Sequence, residues 1–320
     1  ENYINIKCST FFQEHTMVVR EWGRKDNQNV VICLHGYTRS SGDFSILAGE
    51  LSREFRVLCP DLIGRGKSSW LQNKNFYNIP QYISDLIDMC SQLSLSKVHI
   101  IGTSLGGLLG MFLATSAIKD ELTFSLNVKQ YFLKKKNLNN IIVESLILND
   151  VGPEINFSKL EELASLARKE KFLEFFDFAE AKNYVKRSFK EFGFHSNNQW
   201  RILTEAFVRK NEISNSYIIH YDPAILASPL SHIYGENLST KNIEAIRNLN
   251  LWTIYDLITC PTLLVRGEQS KILSRDIALK MIDRGPKPMM VEFEGVGHVP
   301  TLMHLNQISV VKNFLPKKKD

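Results

Sequence analysis

The chain has 320 residues, of which 44% are hydrophobic and 23% charged, with a formal net charge of +5. These values are typical of a globular protein with a substantial core, either one large domain or a domain with a cap. The positive charge is modest and scattered, and we interpret the short basic runs at 134–136 and 317–319 as solvated surface. Nucleic acid is therefore not an expected partner. Because no apolar run approaches the ~20 residues of a membrane span, a membrane is not expected either.

The cysteines bear on compartment and on metal binding. Five cysteines lie mostly within apolar runs, which is the pattern of buried free thiols in a reducing compartment, and we expect a cytoplasmic protein. The first residues show no charged segment followed by an apolar one, so no secretion signal is expected. No cysteine and histidine have metal-ligand spacing, and neither a metal nor a cofactor is expected.

Short apolar runs recur along the chain and predict strands, several of them buried on both faces. The predicted strands are residues 16–22, 30–34, 55–59, 98–101, 145–148, 262–265 and 289–293. Helical patterns lie between them, most clearly at 82–93, 105–114 and 307–314. This alternation predicts an α/β fold with a mostly parallel, doubly wound central sheet. Ligands of such sheets bind at the carboxyl ends of the strands.

Residues 153–250 interrupt this alternation. They contain several amphipathic helical patterns and no convincing strand, so we expect an all-helical cap inserted into a core domain formed by 1–152 and 251–320. Such a cap would supply apolar walls and exclude water from a site at the strand ends. Residues 119–140 form a polar stretch between the helix at 105–114 and the next predicted strand. This stretch is longer than a usual connection between a helix and a strand, and we interpret it as a surface insertion.

The strand at 98–101 runs into Gly102-Thr103-Ser104-Leu105-Gly106-Gly107, and apolar helix-forming residues follow. A sharp turn from strand to helix pushes the turn residue towards positive φ, where side chains on adjacent turns collide. Glycines two residues before and after Ser104 remove that collision and leave the serine projecting from the end of the sheet. This G-x-S-x-G pattern between a strand and a helix indicates a nucleophile elbow. The alternative is a glycine-rich turn with an idle serine.

A serine nucleophile needs a base, and the oxyanion that it generates needs hydrogen-bond donors. His298 follows the last predicted strand in a glycine-containing loop that can carry its ring back over the sheet, and we predict that it is the base. The predicted oxyanion donors are two backbone N–H groups. One belongs to Leu105 at the start of the helix, and the other to Tyr37, which Gly36 allows to turn inward.

Two carboxylates are candidates for the group that orients the histidine. The usual position follows the strand at 262–265, where the loop offers Glu268, close to the strand itself, and no aspartate. Asp150 ends the preceding strand and could reach His298 from there, although an aspartate in such a turn can instead hold backbone amides. Three possibilities for the orienting acid stay open: Asp150, Glu268, or no working acid. Asp150 is our candidate.

Four segments resemble the α/β-hydrolase superfamily: His35-Gly36-Tyr37, the 60–68 sequence Pro-Asp-Leu-Ile-Gly-Arg-Gly-Lys-Ser, the Ser104 elbow and Gly297-His298. Asn149-Asp150-Val151-Gly152-Pro153 and Tyr221-Asp222-Pro223-Ala224-Ile225 are also similar to a bacterial subgroup of capped hydrolases, esterases and C–C hydrolases among them. The resemblance implies a sheet of about eight strands, a helical cap after the sixth, and an acyl-enzyme on Ser104. Similar sequences have Asp where Lys271 stands, whereas some members carry the acid after the sixth strand, which is the Asp150 position.

These features predict a serine hydrolase for a small-molecule substrate that contains an ester, lactone, thioester or C–C-cleavable diketone. The predicted catalytic residues are Ser104, His298 and Asp150, with the N–H groups of Leu105 and Tyr37 as oxyanion donors. The alternative is a hydrolase-fold protein with impaired catalysis that binds a small ligand or a partner. Lys271 favours this alternative, because it stands where the resemblance implies an acid.

Overall fold

The computed structural model describes residues 1–10, 12–115, 141–156, 162, 165, 168, 173–226 and 248–316. The predicted surface insertion at 119–140 lies outside these residues. The strands are β1 (Asn2–Ser9), β2 (Glu14–Trp22), β3 (Val30–Leu34), β4 (Arg56–Pro60), β5 (Lys97–Thr103), β6 (Ile142–Asn149), β7 (Glu154–Asn156), β8 (Glu174–Phe175), β9 (Val208–Lys210), β10 (Tyr217–Ile219), β11 (Asn248–Asn250), β12 (Thr262–Gly267) and β13 (Met289–Phe293). The α-helices are α1 (Ser45–Leu51), α2 (Ile79–Gln92), α3 (Leu105–Ala114), α4 (Phe178–Ser188), α5 (Asn197–Glu205), α6 (Trp252–Asp256), α7 (Arg275–Asp283) and α8 (Leu305–Phe314).

Eight strands form the central sheet in the order β1-β2-β4-β3-β5-β6-β12-β13. The β1–β2 and β2–β4 pairs are antiparallel, and the remaining pairs are parallel. The predicted α/β fold with a mostly parallel, doubly wound sheet is confirmed. The carboxyl ends of β3, β5, β6, β12 and β13 consequently meet at one edge of the sheet, where a ligand site is expected.

The middle of the sheet is covered on both faces, which β3 illustrates. All five of its residues are buried. Val31 and Cys33 belong to a hydrophobic cluster that includes residues of α1 and α8, whereas Val30, Ile32 and Leu34 belong to a second cluster with residues of α2 and α3. Successive side chains of a strand point to opposite faces, so burial on both faces requires an uninterrupted apolar run.

Residues 153–250 contain strands as well as helices in their described part. α4 and α5 are accompanied by a three-stranded sheet in the order β8-β10-β9, and β7 pairs with β11. The prediction of an all-helical cap is therefore wrong. These strands are only two or three residues long, too short for an alternation of apolar and polar residues to appear in the sequence. Among the described residues, no helix is long and apolar enough to cross a membrane.

Candidate active site

The turn between β5 and α3 has the geometry expected of the elbow. Ser104 has φ 52° and ψ −115°, outside the favoured regions for an L-residue. A Cβ on Gly106 would lie 2.0 Å from the carbonyl oxygen of Leu34, and a Cβ on Gly102 would lie 2.4 Å from the carbonyl oxygen of Gly106. Both glycines are thus required for close packing. The N–H of Ser104 donates to the carbonyl of Asn149 at 3.0 Å, which ties the turn to the end of β6.

Three predicted side chains meet beside this turn. The Nε2 atom of His298 lies 3.1 Å from Ser104 Oγ, and its Nδ1 atom lies 2.7 Å from Asp150 Oδ2. Asp150 is fully buried, and its Oδ1 atom accepts a hydrogen bond of 3.1 Å from the N–H of Gly267. An ionised carboxylate only accepts hydrogen bonds, so the imidazole proton is on Nδ1 and Nε2 is available to accept the serine proton. This arrangement suits nucleophilic catalysis.

Glu268, the other candidate for the acid, and Lys271, which stands where the resemblance implies an acid, contact different groups. The exposed carboxylate of Glu268 accepts a hydrogen bond of 2.9 Å from the N–H of Gly295. The Nζ atom of Lys271 lies 2.9 Å from a carboxylate oxygen of Glu191, in the 153–250 region. Lys271 is exposed, and this ion pair raises its pKa. The residue at the usual acid position therefore joins the core to the inserted region.

The predicted oxyanion donors flank the serine. Leu105 is the first residue of α3, where a backbone N–H has no partner within the helix. Tyr37 lies in the turn after β3, and a Cβ built on the preceding Gly36 would be 3.8 Å from the Cβ of Ser104. The phenol of Tyr37 donates to the carbonyl of Ile225 in the inserted region. The turn that carries Tyr37 therefore passes beside Ser104 and contacts the insertion.

Comparisons with known proteins agree with this fold. A family model described as the alpha/beta hydrolase fold matches residues 29–122. The chain is 34% identical over 311 residues to a 3-hydroxybutyrate-oligomer hydrolase of Cupriavidus necator, covering 97% of this chain and 96% of that protein. The chain belongs to the α/β-hydrolase family.

Solved structures of similar shape extend this result. An alpha/beta hydrolase from Novosphingobium aromaticivorans superposes on the chain with a TM-score of 0.75 and 26% identity, covering 98% of both chains. A crystal structure from Rickettsia typhi gives a TM-score of 0.79 and 27% identity, covering 99% of both chains. The similarity therefore includes the inserted region as well as the core of the hydrolase.

Asn149 is a site residue of this hydrolase that the sequence analysis missed. Its side chain is buried, and its Nδ2 atom donates to Thr103 Oγ1 at 3.0 Å and to the carbonyl of Pro300 at 2.8 Å. Thr103 precedes Ser104, and Pro300 lies two residues after His298. Asn149 therefore links the elbow to the histidine loop. Its position directly before Asp150, as a polar residue at the end of an apolar strand, is the signal that could have identified it.

His35 has a structural role in the hydrolase. The Nδ1–H donates to the carbonyl of Gly36 at 2.8 Å, and Nε2 accepts the N–H of Leu62 at 3.0 Å, so the ring joins the turn after β3 to the loop after β4. Complete burial lowers the pKa of His35 to about 4. The ring is consequently neutral at pH 7, as its accepting Nε2 requires.

One group of potential metal ligands lies together among the described residues. Cys8 on β1, His15 on β2 and Asp85 on α2 are all buried, and one ligand atom of each lies within 4.8 Å of the others. Their main interaction is the contact of 3.0 Å between His15 Nε2 and Asp85 Oδ2. The group lies at the β1 edge of the sheet, whereas Ser104 follows β5 near its middle.

Proposed function

We propose that this hydrolase cleaves carboxylic ester bonds in short oligomers of 3-hydroxy acids, with Ser104 as nucleophile, His298 as base and Asp150 as the orienting acid. The observation that carries the proposal is the continuous contact from Ser104 Oγ through the imidazole to a buried carboxylate, at 3.1 and 2.7 Å. The ester oligomer is favoured because the similarity to a 3-hydroxybutyrate-oligomer hydrolase extends over 97% of the chain. Lactones, thioesters and diketones are the alternatives for the same nucleophile.

In the first half of the reaction, Ser104 Oγ attacks the ester carbonyl carbon while its proton passes to His298 Nε2. Asp150 accepts the Nδ1–H hydrogen bond and stabilises the imidazolium that forms. When the tetrahedral intermediate collapses, the bond between the carbonyl carbon and the alcohol oxygen breaks. The leaving alcohol takes the proton from Nε2, and the acyl group stays on Ser104.

The oxyanion of the intermediate forms beside the elbow. We propose that the backbone N–H groups of Leu105 and Tyr37 donate to it, because one begins α3 and the other follows the Gly36 turn beside Ser104. Each donor of this kind stabilises the transition state by about 3–4 kcal/mol. The carbonyl of Tyr37 accepts a hydrogen bond of 3.0 Å from Nε of the buried Arg65, which fixes the turn.

In the second half, water attacks the acyl carbon and gives its proton to His298 Nε2. The bond to Ser104 Oγ breaks, the serine regains that proton, and the carboxylic acid is released. Atoms and charges balance with water as the only co-reactant. The alternative of impaired catalysis depends on Lys271, and Asp150 provides a carboxylate at the imidazole that does not depend on position 271.

We also propose that residues 153–250 form the cap and the rest of the chain the core. Contacts between the turn after β3 and the insertion support this division. Arg39 Nη2 donates to the carbonyl of Leu203 at 3.0 Å, and Ser40 Oγ donates to that of Ala206 at 2.8 Å. A cytoplasmic location is part of the proposal, and the free thiols of all five cysteines, four of them buried, support it.

Labelling with a fluorophosphonate probe tests this function directly. The unmodified protein should be labelled on Ser104 and should hydrolyse p-nitrophenyl acetate. In Ser104→Ala, labelling should disappear and kcat should fall by about 10⁵–10⁶. Ser52→Ala is the matched control, because the hydroxyl of Ser52 donates to the carbonyl of Gly49 on the surface, away from Ser104. Folded wild-type protein that is neither labelled nor active would contradict the proposal.

A further inference from the structure

The side chain of Tyr37 is held at its far end, although the proposed mechanism uses only the backbone N–H of this residue. The phenol hydroxyl donates to the carbonyl of Ile225 in the insertion. The carbonyl of Tyr37 accepts a hydrogen bond of 3.0 Å from Nε of Arg65, whose Cζ atom lies 5.6 Å from the centre of the phenol ring. The residue is therefore fastened both at its backbone and at the end of its side chain.

The acceptor of the phenol is itself held against the core. Ile225 is fully buried in a short 3₁₀-helix of the insertion. Just before this helix, the N–H of Asp222 donates to the carbonyl of Gly64 at 2.7 Å, and the carbonyl of His220 accepts the N–H of Gly66 at 2.9 Å. Two backbone hydrogen bonds thus join this segment to the loop after β4. The carbonyl of Ile225 is a fixed point to which the phenol is attached.

The turn that carries Tyr37 lies against Ser104. A Cβ built on Gly36 would lie 3.8 Å from the Cβ of Ser104 and 3.9 Å from the carbonyl oxygen of Thr103. The N–H of Arg39 donates to the carbonyl of Gly36 at 3.3 Å, which closes the turn. A donor to an oxyanion is effective only within a narrow range of distance, about 2.7–3.1 Å. A small displacement of this turn therefore weakens the donor without removing it.

We propose that the phenol of Tyr37 is a positioning group, which anchors the turn to the insertion and so holds the backbone N–H of the same residue at the oxyanion. The inference rests on the proposed function, because it requires that this N–H donates to the oxyanion. A preorganised donor stabilises the transition state because it does not have to move when the charge forms. A loosened turn keeps the N–H and loses that preorganisation. The loss concerns the transition state more than the bound ester, whose carbonyl oxygen carries less charge.

Tyr37→Phe tests the proposal, because it removes the hydroxyl and keeps both the ring and the backbone N–H. For p-nitrophenyl acetate, kcat and kcat/KM should fall together by about 5- to 30-fold, less than the 10²–10³ that follows removal of an oxyanion donor. Tyr255→Phe is the matched control, because the Tyr255 phenol also donates to a backbone carbonyl, that of Met281 at 2.9 Å, but joins α6 to α7. Its kcat should stay within about twofold of the wild-type value.

Inhibition by a trifluoromethyl ketone separates positioning from a general loss of stability. Such a ketone forms a tetrahedral adduct with Ser104 whose oxygen takes the place of the oxyanion, so its affinity reports on the donors. Its Ki should rise in Tyr37→Phe by the same factor by which kcat/KM falls, and should not change in Tyr255→Phe. A lower melting temperature with an unchanged Ki in Tyr37→Phe would show a purely structural role and overturn the inference.

Ser40→Ala keeps the proposal testable if Tyr37→Phe does not fold. The hydroxyl of Ser40 joins the same turn to the carbonyl of Ala206 at 2.8 Å, three residues beyond Tyr37. Its removal should raise the Ki of the ketone by a smaller factor, about two- to fivefold. An unchanged Ki in an active protein would overturn the role of the anchored turn and leave the proposed function intact. A wild-type protein that neither hydrolyses the ester nor binds the ketone would overturn both.

Discussion

The ends of β6 and β12 are neighbours in the sheet, and an acidic residue follows each of them. After β6, Asp150 is fully buried with its carboxylate 2.7 Å from His298 Nδ1. After β12, Glu268 is exposed and its carboxylate accepts the N–H of Gly295. Two carboxylates on adjacent strand ends thus serve different purposes, one holding the imidazole and one closing a surface loop.

The backbone explains this difference. Asp150 adopts φ 57°, in the left-handed region, while its N–H donates to the carbonyl of Val265 at 2.8 Å. This conformation turns its side chain towards the strand ends, where the N–H of Gly267 and His298 both donate to it. Glu268 instead donates its N–H to the carbonyl of Phe293 and continues the pairing of β12 with β13. The direction of a side chain at a strand end follows from the turn, not from the distance along the sequence.

Replacing Asp150 by Asn tests this comparison most strongly. We expect kcat for p-nitrophenyl acetate to fall by about 10³–10⁴, because a neutral amide does not stabilise the imidazolium and its NH2 group can donate to Nδ1, which favours the wrong imidazole tautomer. Steady-state kinetics and a circular dichroism spectrum would check this in a folded variant.

Glu268→Gln is the matched control on the other strand end. Its kcat should stay within about twofold of the wild-type value, since a neutral amide oxygen can still accept the N–H of Gly295. A large loss in Glu268→Gln combined with an active Asp150→Asn would reverse the two assignments.

The sequence predicts most of the fold because strands buried on both faces leave continuous apolar runs. β3 and β13 begin and end at the predicted residues, Val30–Leu34 and Met289–Phe293. β1 escapes prediction because it is an edge strand in which only Ile6 and Cys8 are buried, so its polar residues interrupt any run. The short strands of the insertion cannot be predicted for a different reason. Each forms by pairing with its neighbours and is too short to contain a hydrophobic pattern of its own.

The site is less predictable than the sheet. Gly102 and Gly106 reveal the elbow because a close approach of the backbone excludes every other residue there. The choice between Asp150 and Glu268 cannot be made from residue types, since it depends on a left-handed turn at a residue that is not glycine.

A third strand end extends the comparison to histidines. His298 follows β13 and contacts the serine, whereas His35 follows β3 and is held neutral by burial, which lowers its pKa to about 4. In the unfolded chain its pKa is about 6.5, so between these values the unfolded state binds the proton that the folded state excludes. The free energy of unfolding should therefore fall by up to about 3 kcal/mol from this residue as the pH decreases from 6.5 to 4.

Urea unfolding of wild type and His35→Gln at pH 7 and pH 4.5 would measure this contribution. The wild-type protein should lose more stability than the variant, in which glutamine can accept the N–H of Leu62 without titrating. Burial also lowers the pKa of His220 to about 4, so part of the pH dependence should persist in His35→Gln. An identical pH dependence in both proteins would contradict a neutral, buried His35.

Asn149 provides a further test at the end of β6, because it directly precedes Asp150 and carries no charge. In Asn149→Ala, the hydrogen bonds to Thr103 and to the carbonyl of Pro300 are lost and the histidine loop is less well held. We expect kcat to fall about 10- to 100-fold with KM nearly unchanged, and the free energy of unfolding to fall by about 1–3 kcal/mol. Asn27→Ala, on the surface, is the control. A change in stability alone, with normal kcat, would limit Asn149 to a structural role.

Lys271 provides the smallest expected effect, on the β12 side of the comparison. Its exposed ion pair with Glu191 bridges the core and the insertion, and such pairs contribute little because water and salt screen them. In Lys271→Ala, kcat/KM for p-nitrophenyl acetate should change less than about threefold, and raising the salt concentration should reduce even that difference. The neighbouring His298 loop also contacts the insertion, because the N–H of Gly297 donates to the carbonyl of Glu191 at 2.6 Å. A large loss of activity would therefore mean that the ion pair between Lys271 and Glu191 helps to position this loop. Glu191→Ala removes the same ion pair from its other side and also keeps that backbone hydrogen bond, so an equal loss in both variants would assign the effect to the pair.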